Sequence, residues 1–398
     1  MLNDVRRLLA LPDRSFFLFG PRGVGKSTWL RQVLPGAPRL DLLDPVSHLA
    51  LERDPGTLAG LAKGLAPGDW IVIDEIQKAP RWLDEVHRLM EEKPIRFALC
   101  GSSARKLRRG GADLLAGRAI MRHLGPFSSA ELGEDFDFEH SLRFGMLPLV
   151  QKDRKNAVEI LEAYLGTYIR EEIREEGVLR KEPPFLRFLP VAGLLNAQMV
   201  NLQNIARETA VSRNCVENYF SILSDTLLGE FLPAYQPRLK VREATHPKFY
   251  WFDPGVARAA AGFLRESTDR AFLGNALETL VFHELRVRNE VARAMREGIG
   301  PRPIHYYRTA AGAEIDFVVE TRKKTASSPA HVVCIEVKLS ERWDPKWERA
   351  MRDLAADRRI RVDGMFGVYT GRYALSRSGV RVLPVREFFQ RLHRGEVF

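Results

Sequence analysis

Three features of this 398-residue sequence predict an α/β chain of several domains. Short apolar runs recur, each closing on glycine, serine or a carboxylate pair. Stretches with apolar residues at helical spacing lie between them, and the chain is longer than one ordinary core of roughly 100–200 residues. The first part reads as a parallel sheet with a phosphate-binding turn, the middle as a helix-turn-helix with a wing, and the last as a second α/β sheet. The divisions fall at 1–160, 161–265 and 266–398.

Composition narrows the class. With 45% hydrophobic and 28% charged residues the chain carries enough apolar surface to offset the entropy of ordering. No stretch reaches the ~18 consecutive apolar residues of a membrane helix, and Arg6, Arg7, Asp13 and Arg14 interrupt the early apolar run. A cytoplasmic protein without a membrane partner is expected. Cys100, Cys215 and Cys334 are odd in number and far apart, which predicts small buried thiols rather than disulfides or zinc ligands. The net charge is +10, and Val241 to Phe398 hold 28 Lys/Arg against 20 Asp/Glu, leaving 33 against 31 before them. A surplus of that kind suits a polyanion through counterion release, or is simply a basic surface.

Ser15 to Phe19 is an apolar run that leads into Gly20-Pro21-Arg22-Gly23-Val24-Gly25-Lys26-Ser27-Thr28, a complete Walker A pattern. The glycines let backbone N–H groups turn towards phosphate oxygens, and the helix that follows points its positive end at them. Lys26 is placed to reach the β- and γ-phosphates of ATP and Ser27 to ligand Mg²⁺. Asp69 to Ile73 is a second apolar run, closed by Asp74 and Glu75 as in a Walker B motif. Asp74 would hold the Mg²⁺ shell and Glu75 would polarise the attacking water, because phosphoryl transfer needs positioning more than covalent help. Arg96 to Cys100 ends in Gly101-Ser102-Ser103, where Ser102, with Ser103 behind it, is either a sensor of the γ-phosphate or a helix cap. Arg118, in Leu115-Ala116-Gly117-Arg118, is either an arginine finger, in cis or across a subunit boundary, or a surface arginine.

These motifs resemble bacterial and archaeal AAA-type P-loop ATPases that carry a C-terminal domain catalogued without a function, of the DUF4143 kind. The resemblance also uses Phe127-Ser128, Phe144-Gly145-Met146-Leu147-Pro148, Tyr164 to Ile173 and Tyr250 to Gly255. Met146 departs from the pattern, which has a second glycine there. The resemblance implies a P-loop ATPase sheet of AAA type and a homo-oligomer, a hexamer among the options.

In the middle, Asn201 to Ala210 and Arg213 to Leu223 read as two helices separated by Val211-Ser212, with Ser212 as N-cap and Val216, Tyr219, Phe220 and Leu223 as the packed stripe. Leu239 to Val241 and Lys248 to Phe252 are the candidate wing strands. Arg213, Asn214 and Asn218 would then face a DNA major groove, although Glu217 shares their face. A winged helix serving as an interdomain or protein-binding module is the alternative.

In the last third, Asn275 to Leu285 is a helix, while His305 to Arg308, Glu314 to Val319 and Val332 to Lys338 are strands. Glu336 and Lys338 lie two apart and share a strand face. With Asp316 and Glu278 they resemble the PD-(D/E)xK nuclease superfamily, a restriction-endonuclease-like fold. That resemblance makes Asp316 and Glu336 ligands of Mg²⁺ or Mn²⁺, Glu278 an accessory ligand and Lys338 the catalytic lysine. A structural Lys–Glu pair is the plainer reading of Glu336-x-Lys338. His283 reads as a helix-surface residue without a role. The expected function is ATP-driven action on duplex or branched DNA, with or without metal-dependent cleavage. The competing expectation is a regulatory or chaperone-like ATPase acting on a protein, its last domain an inactive module. A transcription regulator is disfavoured by the intact Glu75.

Overall fold

The computed structural model describes residues 5–54, 56–102, 115–169, 182–236, 246–295, 300–309 and 312–398. The chain divides into two compact units, Arg7–Pro126 with Ile222–Leu228, and Phe127–Ser221 with Gly229–Phe398 and the residues before Arg7.

In the first unit the apolar runs become β1 (Phe16–Phe19), β2 (Arg39–Asp41), β3 (Trp70–Asp74), β4 (Arg96–Gly101) and β5 (Ile120–His123). They are ordered β2-β3-β4-β1-β5, every pair parallel. A parallel sheet is covered on both faces, and this is why β1 is four consecutive buried residues with no alternation. The helix Trp82–Glu92 turns Trp82, Leu83, Val86 and Leu89 against Phe17, Ile71, Ile73, Phe97 and Leu99. Full burial of such side chains stabilises by about 1.5–3 kcal/mol each. Because β1 and β3 flank β4, the ends of all three strands stand side by side at the carboxyl edge, where α/β sheets bind ligands.

The second unit holds two sheets. In the smaller, β6 (Gln198–Met199), β7 (Gly229–Leu232) and β8 (Lys248–Trp251) run antiparallel in the order β6-β8-β7. The helices Leu202–Thr209 and Arg213–Asp225 form where expected, Ser212 caps the second by accepting from Cys215 N at 3.2 Å, and Arg213, Asn214 and Asn218 are exposed. Of the expected wing, the second strand forms as Lys248–Trp251, paired antiparallel with Gly229–Leu232 after the second helix. Leu239 to Val241 lies outside the described residues, and β8 is buried along its whole length between Gly229–Leu232 and Gln198–Met199. The cause is aromatic: Phe249 packs on Phe220 and Phe231, and Tyr250 on Phe282 and Phe317, so the strand is drawn inward.

The larger sheet is mixed and follows the order β13-β14-β12-β11-β10-β9, formed by β9 (Ile304–Arg308), β10 (Glu314–Arg322), β11 (Ala330–Lys338), β12 (Ile360–Tyr369), β13 (Leu375–Arg377) and β14 (Val380–Pro384). β9, β10 and β11 are antiparallel neighbours, while β11, β12 and β14 are parallel. Leu277, Leu280, Val281 and Leu285 of the long helix Arg270–Ala294 share a core with Phe317, Val319, Val333 and Ile335. Ile315, Val318, Val332 and Cys334 join Met351 and Leu354 in a separate core. Met146 packs into the unit without a second glycine: Gly145 alone supplies the positive φ of +80° at the turn, and Met146 N donates to Asp253 Oδ2 at 2.6 Å.

Cys100 and Cys334 are buried, whereas Cys215 is half-buried beside the exposed cap Ser212. No helix among the described residues is long and apolar enough to cross a membrane.

Candidate functional site

The carboxyl edge of the first sheet brings the Walker residues together. Gly20 must lack a side chain because a Cβ there would stand 2.1 Å from the Leu124 carbonyl oxygen. Gly25, at φ +91°, caps the helix Lys26–Val33. Lys26 is 6% exposed, and its ammonium donates to the carbonyls of Gly20 at 2.8 Å and Pro21 at 3.0 Å. Pro21 and Val24 are buried, Gly23 and Thr28 are exposed, and Arg22 and Ser27 are half-exposed.

At the end of β3, Asp74 Oδ1 accepts from Glu75 N at 3.1 Å and from the Cys100 thiol at 2.8 Å. Glu75 is buried and held in the left-handed region at φ 56°, a conformation that costs a non-glycine residue energy and clusters at functional sites. Burial raises the Glu75 pKa above the ordinary carboxylate value, with Lys26 and the Gln77 hydrogen bond opposing. Gln77 donates one amide hydrogen to Glu75 Oε2 and the other to Ser102 Oγ, the latter at 3.1 Å. Ser102 is thereby joined to Glu75 through a residue the sequence reading passed over. Ser103 lies outside the described residues. Arg118 is exposed, and its guanidinium pairs with Glu91 on the helix Trp82–Glu92.

Arg7 is a second residue not anticipated. Its buried guanidinium donates to Val24 O at 2.8 Å, Gly125 O at 2.8 Å and Pro126 O at 2.9 Å, tying the phosphate loop to the segment after β5. Only its place before the first strand was visible in sequence.

The second unit assembles the other constellation. Glu278 comes from the helix Arg270–Ala294, Asp316 from β10, and Glu336 and Lys338 from β11. Lys338 Nζ lies 2.5 Å from Glu336 Oε1 and 3.4 Å from Asp316 Oδ2, and Val337 N donates to the same Asp316 oxygen at 2.7 Å. Sequence reasoning missed Lys248 and Tyr250. From β8, Lys248 Nζ reaches Glu314 Oε1 at 2.5 Å, Glu278 Oε2 at 3.3 Å and Asp316 Oδ1 at 3.8 Å, and the Tyr250 hydroxyl donates to Glu278 Oε2 at 3.0 Å. Burial, then the Asp316 charge, raises Glu278 to about 7, with Lys248 opposing. Glu336 is raised for the same two reasons. Burial works to lower both lysines. Tyr250 and the carboxylates outweigh it at Lys248, and Asp316 with Glu336 outweighs it at Lys338, so both stay charged.

This donor set does not fit the divalent metal that the nuclease resemblance implies, because an ammonium group is already bonded among its oxygens. Among the described residues no group of three or more His, Cys, Asp or Glu is arranged to hold a metal ion. The P-loop set fits Mg²⁺, since Ser27 and Asp74 offer hard oxygen donors. His283 is buried, not on the helix surface, and its Nε2 bonds the Phe127 carbonyl at 2.9 Å, because the neighbouring Glu284 is itself buried against His393 and Ser129 N.

Residues 12–133, which hold the first sheet and its carboxyl-edge residues, match the sequence model of the AAA domain. Residues 135–267 and 273–388 match two domains of unknown function, DUF8612 and DUF4143. The uncharacterized protein Rv2008c of Mycobacterium tuberculosis is 26% identical over 375 residues, covering 92% of this chain and 79% of that one. The Holliday junction branch migration complex subunit RuvB of Staphylococcus haemolyticus is 38% identical over 93 residues, 23% of this chain and 27% of that one. Among solved structures, the replication initiator DnaA bound to AMPPCP and single-stranded DNA aligns with 54% of this chain and 83% of its own at 15% identity and a TM-score of 0.25.

Proposed function

We propose that this protein hydrolyses ATP at the carboxyl edge of its first unit and couples hydrolysis to DNA held by its second. The observation that carries the ATPase reading is the gathering, at one edge of the sheet, of buried Lys26 on the phosphate loop and of Glu75, bridged by Gln77 to Ser102. In this reading phosphate oxygens replace the Gly20 and Pro21 carbonyls as acceptors for Lys26. Ser27 and Asp74 hold Mg²⁺, which offsets phosphate charge, and Glu75 takes a hydrogen bond from the attacking water. Backbone N–H groups from Gly20 to Thr28 line the nucleotide's phosphates.

DNA as partner is supported by the basic surplus of the last third, by the exposed Arg213, Asn214 and Asn218 at the start of their helix, and by the local similarity to a branch migration subunit. The buried ammonium of Lys248 favours a second unit that binds without cutting.

ATPase assays on Lys26→Ala and Glu75→Gln, each with a nucleotide-binding titration, test the first half. Lys26→Ala should lose binding, and Glu75→Gln should bind ATP and turn it over poorly. Wild-type turnover in Glu75→Gln removes that residue from the mechanism. For the second half, duplex and four-way-junction DNA should raise the ATPase rate, and DNA affinity should fall steeply with salt. A rate indifferent to DNA, with no salt-dependent binding, would favour a protein as the partner.

A further inference from the structure

The oxygens that the nuclease resemblance assigns to a metal are instead shared between two ammonium groups. Lys248 and Tyr250 sit two apart on β8 and so share a face. That face meets the cluster. Lys248, Asp316 and Glu336 are 5%, 4% and 4% exposed, so none is a solvated surface charge. Both Asp316 oxygens face a positive or donor group. Oδ1 faces Lys248 at 3.8 Å, while Oδ2 accepts from Val337 N at 2.7 Å and faces Lys338 at 3.4 Å. Glu278 Oε2 takes both Lys248, at 3.3 Å, and the Tyr250 hydroxyl, at 3.0 Å. A divalent ion would need oxygens at about 2.0–2.6 Å, among oxygens that already surround the Lys248 ammonium. Like charges so close in a largely buried site repel strongly.

We propose that Lys248 is the resident cation of this site: beside Lys338, which pairs with Glu336, it neutralises Glu278, Glu314 and Asp316 in place of a metal and keeps metal out. The cation is delivered from a different part of the chain than the carboxylates. β8 lies in the segment matching one domain of unknown function, at 135–267, while Glu278, Glu314, Asp316 and Glu336 lie in the segment matching the other, at 273–388. The middle segment thus plugs a site built by the last. The inference is independent of the ATPase and DNA readings, either of which can fail without affecting it.

The test is Mn²⁺ binding to the full-length, nucleotide-free chain, followed by electron paramagnetic resonance of the free ion and by thermal melts with and without Mn²⁺. Wild type and Asp316→Asn should bind Mn²⁺ identically, showing no Asp316-dependent site. Lys248→Met should gain a site, its melting temperature should rise with Mn²⁺, and Lys248→Met/Asp316→Asn should lose both effects. Lys248→Arg, which keeps the charge, should stay metal-free. An Asp316-dependent Mn²⁺ site in the wild type overturns the proposal whether or not the Lys248 variants fold. A Lys248→Met protein that melts cooperatively and gains no site overturns it equally.

Discussion

Replacing Gln77 by leucine removes one amide and changes little volume, so it isolates the bridge between Glu75 and Ser102. The amide makes two hydrogen bonds, one to a carboxylate. A bond to a charged group contributes about 1.5–3 kcal/mol, and each 1.36 kcal/mol of barrier is tenfold in rate. If the bridge holds Glu75 against the attacking water, kcat falls roughly 10- to 150-fold while nucleotide affinity, set by the phosphate loop, stays near wild type. A second readout follows from protonation. Burial raises Glu75 and the Gln77 hydrogen bond lowers it, so losing the bond raises it further. In the proposed role Glu75 acts ionised, so activity would be lost as pH falls through its pKa. The acidic limb of the kcat profile therefore moves to higher pH in Gln77→Leu. Steady-state ATPase assays across pH, with a fluorescent-nucleotide titration and a thermal melt as controls, measure all three. A stably folded Gln77→Leu with wild-type kcat and an unmoved acidic limb refutes the reasoning.

Two further outcomes are expected. Arg118→Ala should reduce turnover by about 10³-fold or more if this side chain is an arginine finger, while Glu91→Ala, which only frees it from its present partner, should not; a finger in trans also makes turnover per subunit rise with protein concentration, and loss in neither variant returns Arg118 to the surface. Stability should decline as pH rises from about 4.3, the ordinary glutamate value, to about 7. Burial and the Asp316 charge put Glu278 at about 7 when folded, so between those pH values the folded state holds a proton that the unfolded state has released, and the slope is negative. Melts of Glu278→Gln should lose this part of the decline, and an unchanged slope in that variant would exclude Glu278 as its source.

What could be read from the sequence was what is local along it. The phosphate loop and the Asp74-Glu75 pair each occupy a few consecutive residues, and an uninterrupted apolar strand such as Phe16–Phe19 announces burial on both faces. The strands carrying Asp316 and Glu336 were legible for the same reason. What stayed hidden depends on distant partners. Arg7 meets carbonyls more than a hundred residues away, and Gln77 meets Ser102 across neighbouring strand ends. Lys248 was read only as the first residue of a candidate wing strand, Lys248 to Phe252. A signal was nonetheless present: Lys248 opens a strand whose next three residues, Phe249, Tyr250 and Trp251, are all large and apolar-bodied, and a lysine carried inward by such a strand requires counter-charges. His283 was read as a helix-surface residue, whereas it and its neighbour Glu284 are both buried and partnered.

The Lys248 contact also bears on how the second unit should be divided. Breaking a buried ion pair by removing one partner costs about 3–5 kcal/mol, and Lys248 faces three carboxylates at once, at 2.5, 3.3 and 3.8 Å. Asn196 ties the same two segments together through Thr279 Oγ1 at 2.8 Å, and the Tyr250 ring packs at a tilt against Phe282 and Phe317 across them. A fragment beginning near residue 266 would therefore lose its internal cation, its tyrosine donor and part of its aromatic core together. Its carboxylates would then be exposed to solvent cations, which are excluded while β8 is in place. Metal binding or DNA cleavage by such a fragment would report the chemistry of an opened site, and only the chain that retains Lys248 can show what this site does in the protein.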